Sequence, residues 1–264
     1  MPFTDAERAT LWRIAHALAD AARPATLRHF RSAELAADNK LAAGFDPVTA
    51  ADHGAEDAMR AILAQERPQD AILGEERGHQ KGTSGLTWVL DPVDGTRGFL
   101  SGTPTWGVLV ALSDAAGPRL GIIDQPYIGE RFWGGLGQAF VEGPTGRAPL
   151  RTRPERPLDQ AIVFTTFPEI GTEAERAAFS RVAQRARLVR YGMDCYAYAL
   201  VAAGQIDLVI EAGLQAYDVQ APIAVIEAAG GVVSDWQGRP VHDGGQVIAA
   251  ANPGIHAAAL EWLN

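Results

Sequence analysis

The sequence predicts a mixed α and β fold built in layers. Near the N-terminus, apolar residues recur at helical spacing. Residues 87–142 then hold a run of short apolar segments separated by Gly, Pro and Asp. From residue 160 onward, strand-like and helix-like patterns alternate. The first two features suit helices beside a mainly antiparallel sheet, and the third suits an α/β layer with helices on both faces.

Thr4-Asp5-Ala6-Glu7 has the form of a capping box, and Leu11, Ile14, Ala15 and Leu18 follow at helical spacing. Pro24 should stop this helix. A second capping box, Thr49-Ala50-Ala51-Asp52, opens a helix that carries Met59, Ile62 and Leu63 and ends before Pro68. The apolar run Ala71–Gly74 ends in Glu75-Glu76, and a Gly/Ser-rich loop extends to Gly85. Strands are expected at 87–91, 105–112, 119–124, 131–134 and 138–142. Residues 143–157, rich in Pro, Arg and Gly, read as a connector between an N-terminal α+β half (1–145) and a C-terminal α/β half (146–264) of one domain, 1–264. The second half reads as strand 160–165, helix 172–186, strand 187–190, helix 194–203, strand 206–211, helix 218–229 and strand 231–234. No internal repeat interrupts this order.

A chain of 264 residues with 47% apolar and 21% charged residues can bury a substantial core. No apolar run approaches the roughly 20 residues that cross a bilayer. The N-terminal segment lacks a basic region followed by an apolar one, so a cytoplasmic protein is expected. The single cysteine, Cys195, excludes an internal disulfide and a cysteine-rich zinc site. A formal charge of −9 argues against nucleic acid or an anionic membrane as partner. A small phosphorylated substrate remains compatible, provided that cations first load the acids that face it.

The segment Trp88-Val89-Leu90-Asp91-Pro92-Val93-Asp94-Gly95-Thr96 carries the chemistry. An apolar strand ending in two carboxylates, followed by a tight turn with available amides, suits a hard divalent cation that holds a phosphate. On its own the segment reads equally well as a strand and an Asx-type turn. Glu75 also ends an apolar run, and Asp218 opens a helix. Each has an ordinary reading, as a solvated loop acid and a helix cap. Together they form a set of carboxylates that would repel one another unless cations held them ionised. Thr96 is placed to orient a water, and Asp52 is either its base partner or simply the third member of a capping box. Asp194 opens a helix and Glu211 ends a strand.

Gly74-Glu75-Glu76, Asp91-Pro92-Val93-Asp94-Gly95-Thr96 and Tyr217-Asp218-Val219 with Glu227-Ala228-Ala229-Gly230-Gly231 closely resemble the three signatures of the inositol-monophosphatase-like phosphatases. The resemblance spans nearly the whole chain. It implies a five-layer αβαβα sandwich, two or three Mg2+ per site, phosphomonoesterase activity and a homodimer. It also implies that Glu75, Asp91, Asp94, Asp218 and the Val93 carbonyl hold the metal. Thr96 and Asp52 would activate water, with Glu75 among the catalytic acids, and the Gly95 and Thr96 amides would face the phosphate. Lys40 resembles a basic residue near the site in relatives, but its spacing from Asp52 assigns it no role.

The wording after Thr96, Arg97-Gly98-Phe99-Leu100-Ser101-Gly102-Thr103-Pro104, and the stretch Arg190–Leu200 resemble the histidinol-phosphate phosphatase branch; Met193 stands where a small residue is expected. L-Histidinol phosphate carries an ammonium and an imidazole. Asp194 could pair with the first and Glu211 with either, a charge-assisted contact that an inositol pocket does not need. Histidine biosynthesis is then the setting. The expected reaction is direct hydrolysis: the metal and Thr96 prepare the water, with no phosphoenzyme. Cys195 lacks the Cys-x5-Arg loop of cysteine phosphatases, and Asp91 and Asp94 are three apart rather than the two of aspartyl-phosphate phosphatases. Inositol 1-phosphate, sugar phosphates and 3′-phosphonucleotides remain alternative substrates, and a non-catalytic metal-binding module is the alternative of a different class.

Overall fold

Helix α1 (Asp5–His29) starts at the expected capping box, in which Thr4 and Glu7 each accept the other's backbone N–H. It does not stop near Pro24 but runs on for five more residues with the proline inside. Proline removes one helical hydrogen bond, a cost that packing can outweigh. Here Leu11, Leu18, Ala22 and Thr26 are buried on one face. Arg23, next to the proline, grips Asp124 through two hydrogen bonds of 2.8 and 2.7 Å. The computed structural model describes residues 3–33, 37–39 and 47–264, so Lys40 lies outside the described residues. The short strands β1 (Ala37–Asn39) and β2 (Pro47–Thr49) pair antiparallel and lead into α2 (Ala50–Glu66), which Thr49 caps as the sequence indicates.

The first large sheet comprises β3 (Ala71–Gly74), β4 (Gly78–Gln80), β5 (Thr87–Asp94), β6 (Gly107–Asp114), β7 (Gly117–Gln125), β8 (Glu130–Gly135), β9 (Gln138–Gly143) and β10 (Gly146–Pro149). Their order is β10-β9-β8-β7-β6-β5-β3-β4, antiparallel throughout except for the parallel β3–β5 pair. The sequence missed β4 in its Gly/Ser-rich loop and β10 in its Pro/Arg/Gly-rich connector; both are exposed edge strands with no apolar alternation to announce them. A short helix, α3 (Thr96–Ser101), joins β5 to β6.

The second sheet takes β11 (Ile162–Thr165), β12 (Leu188–Tyr191), β13 (Leu208–Gln215), β14 (Val232–Ser234) and β15 (Gly244–Ala250) in the order β12-β11-β13-β15-β14. Four helices accompany it: α4 (Glu173–Ala183), α5 (Asp194–Ala202), α6 (Ala216–Ala228) and α7 (Pro253–Leu263). β15 and α7 lie beyond the last element that the sequence indicated.

Alternation along the strands assigns the layers. Trp88, Leu90, Val108, Val110, Leu120 and Ile122 pack on α1 and α2. Their neighbours Val89, Leu109, Ala111 and Ile123 face the opposite way, into a core shared with α5, α6 and the inner residues Val209, Val247 and Ala249 of the second sheet. The outer residues Leu208, Ile210 and Ile248 meet α4 and α7. The result is α1/α2, sheet, α5/α6, sheet, α4/α7, the expected αβαβα sandwich. α6 is apolar nearly all round because it is buried between two sheets. At Gly121 on β7 any Cβ would collide with the Ala221 carbonyl, so this glycine lets α6 lie directly on the first sheet.

Asp124 is fully buried and accepts from both Arg23 of α1 and Arg131 of β8, the latter at 2.7 Å. Removing one partner of a buried ion cluster strands the others. Asp124→Ala should lower the unfolding free energy by about 3–5 kcal/mol, read as a shifted urea midpoint with unchanged slope. An unshifted midpoint would mean that this cluster does not pin α1.

Candidate active site

Asp91 and Asp94 both belong to β5 rather than to a strand and the turn after it. In a regular strand, residues three apart point to opposite faces. Here Asp91 pairs with Leu109 and Asp94 with Gly107, so β5 spends one residue more than β6 between those points. That bulge reverses the alternation and brings both carboxylates to one side. Pro92, which has no N–H to give the ladder, sits inside it, and Asp91 Oδ1 accepts the Val93 N–H at 3.0 Å.

Asp218 comes from the middle layer. It is the third residue of α6, not its cap, and its Oδ2 accepts the Gln215 N–H at 2.6 Å. One oxygen each from Asp91, Asp94 and Asp218 lies within 4.8 Å of the others. Glu75 follows β3, which runs parallel to β5 with Gly74 opposite Leu90, and it hydrogen-bonds the Asp91 carboxyl. A residue the sequence reading missed shapes this turn. The buried Glu56 carboxylate of α2 accepts the amides of Glu76 (2.7 Å) and Arg77 (3.1 Å) and pairs with Arg60. An isolated glutamate in mid-helix carries no sequence signal of that task.

Burial, and then the charge of their neighbours, pushes Asp91 and Asp94 well above the usual carboxylate range. For Asp91 the neighbours are Glu75, Asp94 and Asp218; for Asp94 they are Asp194 and Asp218, partly offset by hydrogen bonds from Cys195. Such a set holds protons or a cation. With oxygen as the only donor type, it fits a hard divalent ion.

A cavity of about 300 Å3 opens beside the cluster and is bordered by Asp94, Asp218, the Gly95-Thr96-Arg97 turn, the loop that follows β11, and residues from α5 and β13. Gly95 has φ +83 and caps α3. A side chain there would also strike Asp194, whose Cγ would stand 2.6 Å from the added Cβ. Thr96 Oγ1 donates to the Val93 carbonyl at 3.1 Å. Asp52 is buried in the capping box as the third-position acid, with Oδ2 on Thr49 and Oδ1 unpartnered. It is not hydrogen-bonded to Thr96, although the adjacent Ala51 packs in one cluster with Val93 and Phe99 of α3. Burial raises Asp52 above the usual range, and nearby Glu76 adds to that.

Asp194 and Glu211 both border the cavity. Asp194 opens α5 with φ +46, a left-handed conformation that Asp tolerates better than most side chains. It faces Thr105 and the charge of Arg97. Glu211 sits at a second bulge, where β13 spends three residues from Glu211 to Leu214 against two of β15. It accepts the Thr166 N–H and hydroxyl, each at 2.8 Å, and burial pushes it up to about 7. Met193 caps α5 and packs against the central core. The sequence reading missed Thr166, Phe167 and Arg97 on the cavity wall; the Arg97 guanidinium lies 4.9 Å from the Phe167 ring centre.

Comparison with known proteins fits this arrangement. Residues 7–263 match the model of the inositol monophosphatase family. The chain is 40% identical to the bifunctional phosphatase IMPL2 of Arabidopsis thaliana over 98% of this chain and 77% of that one. It is 31% identical to a histidinol-phosphatase of Streptomyces coelicolor, covering 96% of each. An inositol monophosphatase structure from Zymomonas mobilis, 40% identical, superposes with a TM-score of 0.83 over 95% of this chain and 96% of that one. The chain belongs to the inositol monophosphatase family, phosphatases that act on small phosphorylated substrates.

Proposed function

We propose that the protein is a magnesium-dependent histidinol-phosphatase, hydrolysing L-histidinol phosphate to L-histidinol and phosphate in cytoplasmic histidine biosynthesis, as a homodimer. The observation that carries this reading is the second acidic wall of the cavity. Asp194 and Glu211 border it beyond the Asp91–Asp94–Asp218 cluster. Arg97 offsets part of the charge of Asp194, and a positively charged leaving group, which histidinol provides and inositol does not, would offset more of what two extra carboxylates cost beside a phosphate site. The names of the relatives support both branches, and inositol 1-phosphate is the second reading because of the Zymomonas likeness.

In this proposal Glu75, Asp91, Asp94, Asp218 and the Val93 carbonyl hold two or three Mg2+. When bound, the metal supplies a nucleophilic water and neutralises charge on the phosphate and the leaving oxygen. The chain's own groups do the rest. The Gly95 and Thr96 amides, at the start of α3, face the phosphate oxygens. The Thr96 hydroxyl, with its proton on the Val93 carbonyl, presents a lone pair that orients the attacking water. Asp52 acts on Thr96 once that hydroxyl exchanges the Val93 carbonyl for the unpartnered Oδ1. Asp194 and Glu211 hold the ammonium and imidazole.

The direct test is phosphate release from L-histidinol phosphate, inositol 1-phosphate and 3′-phosphoadenosine 5′-phosphate, compared by kcat/KM. Strong preference for the first, lost on chelation and restored by Mg2+, is expected. Preference for either competitor would end the histidinol reading, and no metal-dependent release from any would favour the non-catalytic module.

Asp94→Asn should cost turnover more than the roughly 10–100-fold that loss of an outer-shell partner costs a metal site. The same variant should melt higher than the parent without metal, because one of several mutually repelling buried carboxylates is gone. Retained Mg2+-dependent activity would remove Asp94 from the ligand set.

Glu211 should impose a pH limb on the cationic substrate. Its carboxyl, raised to about 7, is neutral below that pH and charged above it. Its hold on the imidazole N–H therefore strengthens as pH rises through about 7. kcat/KM for L-histidinol phosphate should rise across that window in the parent and flatten in Glu211→Gln; superimposable profiles would take Glu211 out of substrate binding.

A further inference from the structure

The cavity wall is rich in acceptors, with Asp94, Asp194, Glu211 and Asp218 all bordering it. Most of the side-chain hydroxyl and thiol donors there are already committed. Thr96 donates to the Val93 carbonyl and Thr166 to Glu211. The Cys195 thiol hydrogen-bonds Asp94 and accepts from Gln125. Tyr198 differs. It borders the same cavity from α5 and is 4% exposed, yet its hydroxyl has no hydrogen-bond partner. Burial, and then the charges of Glu211, Asp94 and Asp218 on the wall of the same cavity, raise the phenol above its ordinary range.

A buried hydroxyl without a partner costs free energy, so its presence needs a reason. The phenylalanine of the same shape would pack as well and avoid the cost. A ligand that supplies the missing acceptor removes the penalty only when bound, which makes such a group a sensor of that ligand.

We propose that Tyr198 is a substrate-contacting hydrogen-bond donor that reads an acceptor atom on the leaving alcohol, a ring nitrogen where the alcohol carries an imidazole. Neutral imidazole presents one N–H and one acceptor nitrogen. Tyr198 supplies the donor, and Glu211 on β13 supplies the facing acceptor. A phenol is an O–H donor at neutral pH in any case, and its burial here strengthens that. This assignment rests on the phosphomonoesterase reading of the site but not on histidinol as the alcohol, because a hydroxyl of another alcohol can also accept.

The test is Tyr198→Phe, assayed with Mg2+ on L-histidinol phosphate, inositol 1-phosphate and propyl phosphate, the last having no acceptor on its alcohol part. Metal-free melting is measured alongside. The expected result is a fall in kcat/KM on L-histidinol phosphate about 10- to 100-fold larger than on propyl phosphate, with a melting temperature equal to or above the parent's. Equal losses on all three esters, no loss on any, or uniform loss with a lowered melting temperature would each overturn the proposal. If the parent prefers inositol 1-phosphate and the selective loss appears there, the histidinol reading fails and the Tyr198 assignment stands.

Discussion

Like charges crowded together at the wall of a cavity set the terms for the site. Carboxylate oxygens from Asp91, Asp94 and Asp218 stand within 4.8 Å of one another, and Glu75 touches the first. Nothing in that set attracts another member when all are ionised. The remaining structure must therefore hold them in place until a cation makes the cluster favourable. The layers supply the grip. Asp91 and Asp94 ride on an interior strand of an eight-stranded sheet, and Asp218 on a helix buried between two sheets. The Glu75 turn is fixed from behind by Glu56, itself neutralised by Arg60. A site on loose loops would relax away from its own repulsion.

Two β-bulges do the aiming, one in each sheet. The first lets residues 91 and 94 share a side; the second lies at Glu211, where β13 passes the cavity. Each inserts one residue at the point where a side chain must leave the regular alternation, which is the recognised use of a bulge near a site. Neither weakens the core. Leu90 and Leu109 beside the first and Ile210 beside the second remain fully buried.

The layered architecture was legible because its cause is local: capping boxes at Thr4 and Thr49, alternating apolar strands, and the later strand–helix alternation. The misses share a cause as well. Pro24 was read by its local cost, whereas burial on both sides of it decides. β4 and β10 are exposed edges without a pattern. In the site, the acids at the ends of apolar runs were visible and so was their grouping, through the resemblance. Glu56, Phe167 and Tyr198 were not, because their roles depend on what lies across a fold contact rather than along the chain.

The seam between the two sheets is where those contacts meet. The first amide of α5 after Asp194 donates to Asp94 at 2.6 Å, so the second half of the chain bonds directly to a proposed metal ligand of the first. Asp194 itself presses on the Gly95 turn, which accepts it only because no Cβ is there. Asp218 and Glu211 complete the cavity from the same side. Any cation on the cluster therefore binds groups from the first sheet and from α6 of the middle layer at once. Its binding energy goes into holding the seam, so metal affinity and the alignment of α5 against β5 become one equilibrium. A substrate whose leaving group reaches Asp194 and Glu211 bears on the same seam from the cavity side, which is how the alcohol, far from the phosphorus, can affect the geometry of its hydrolysis.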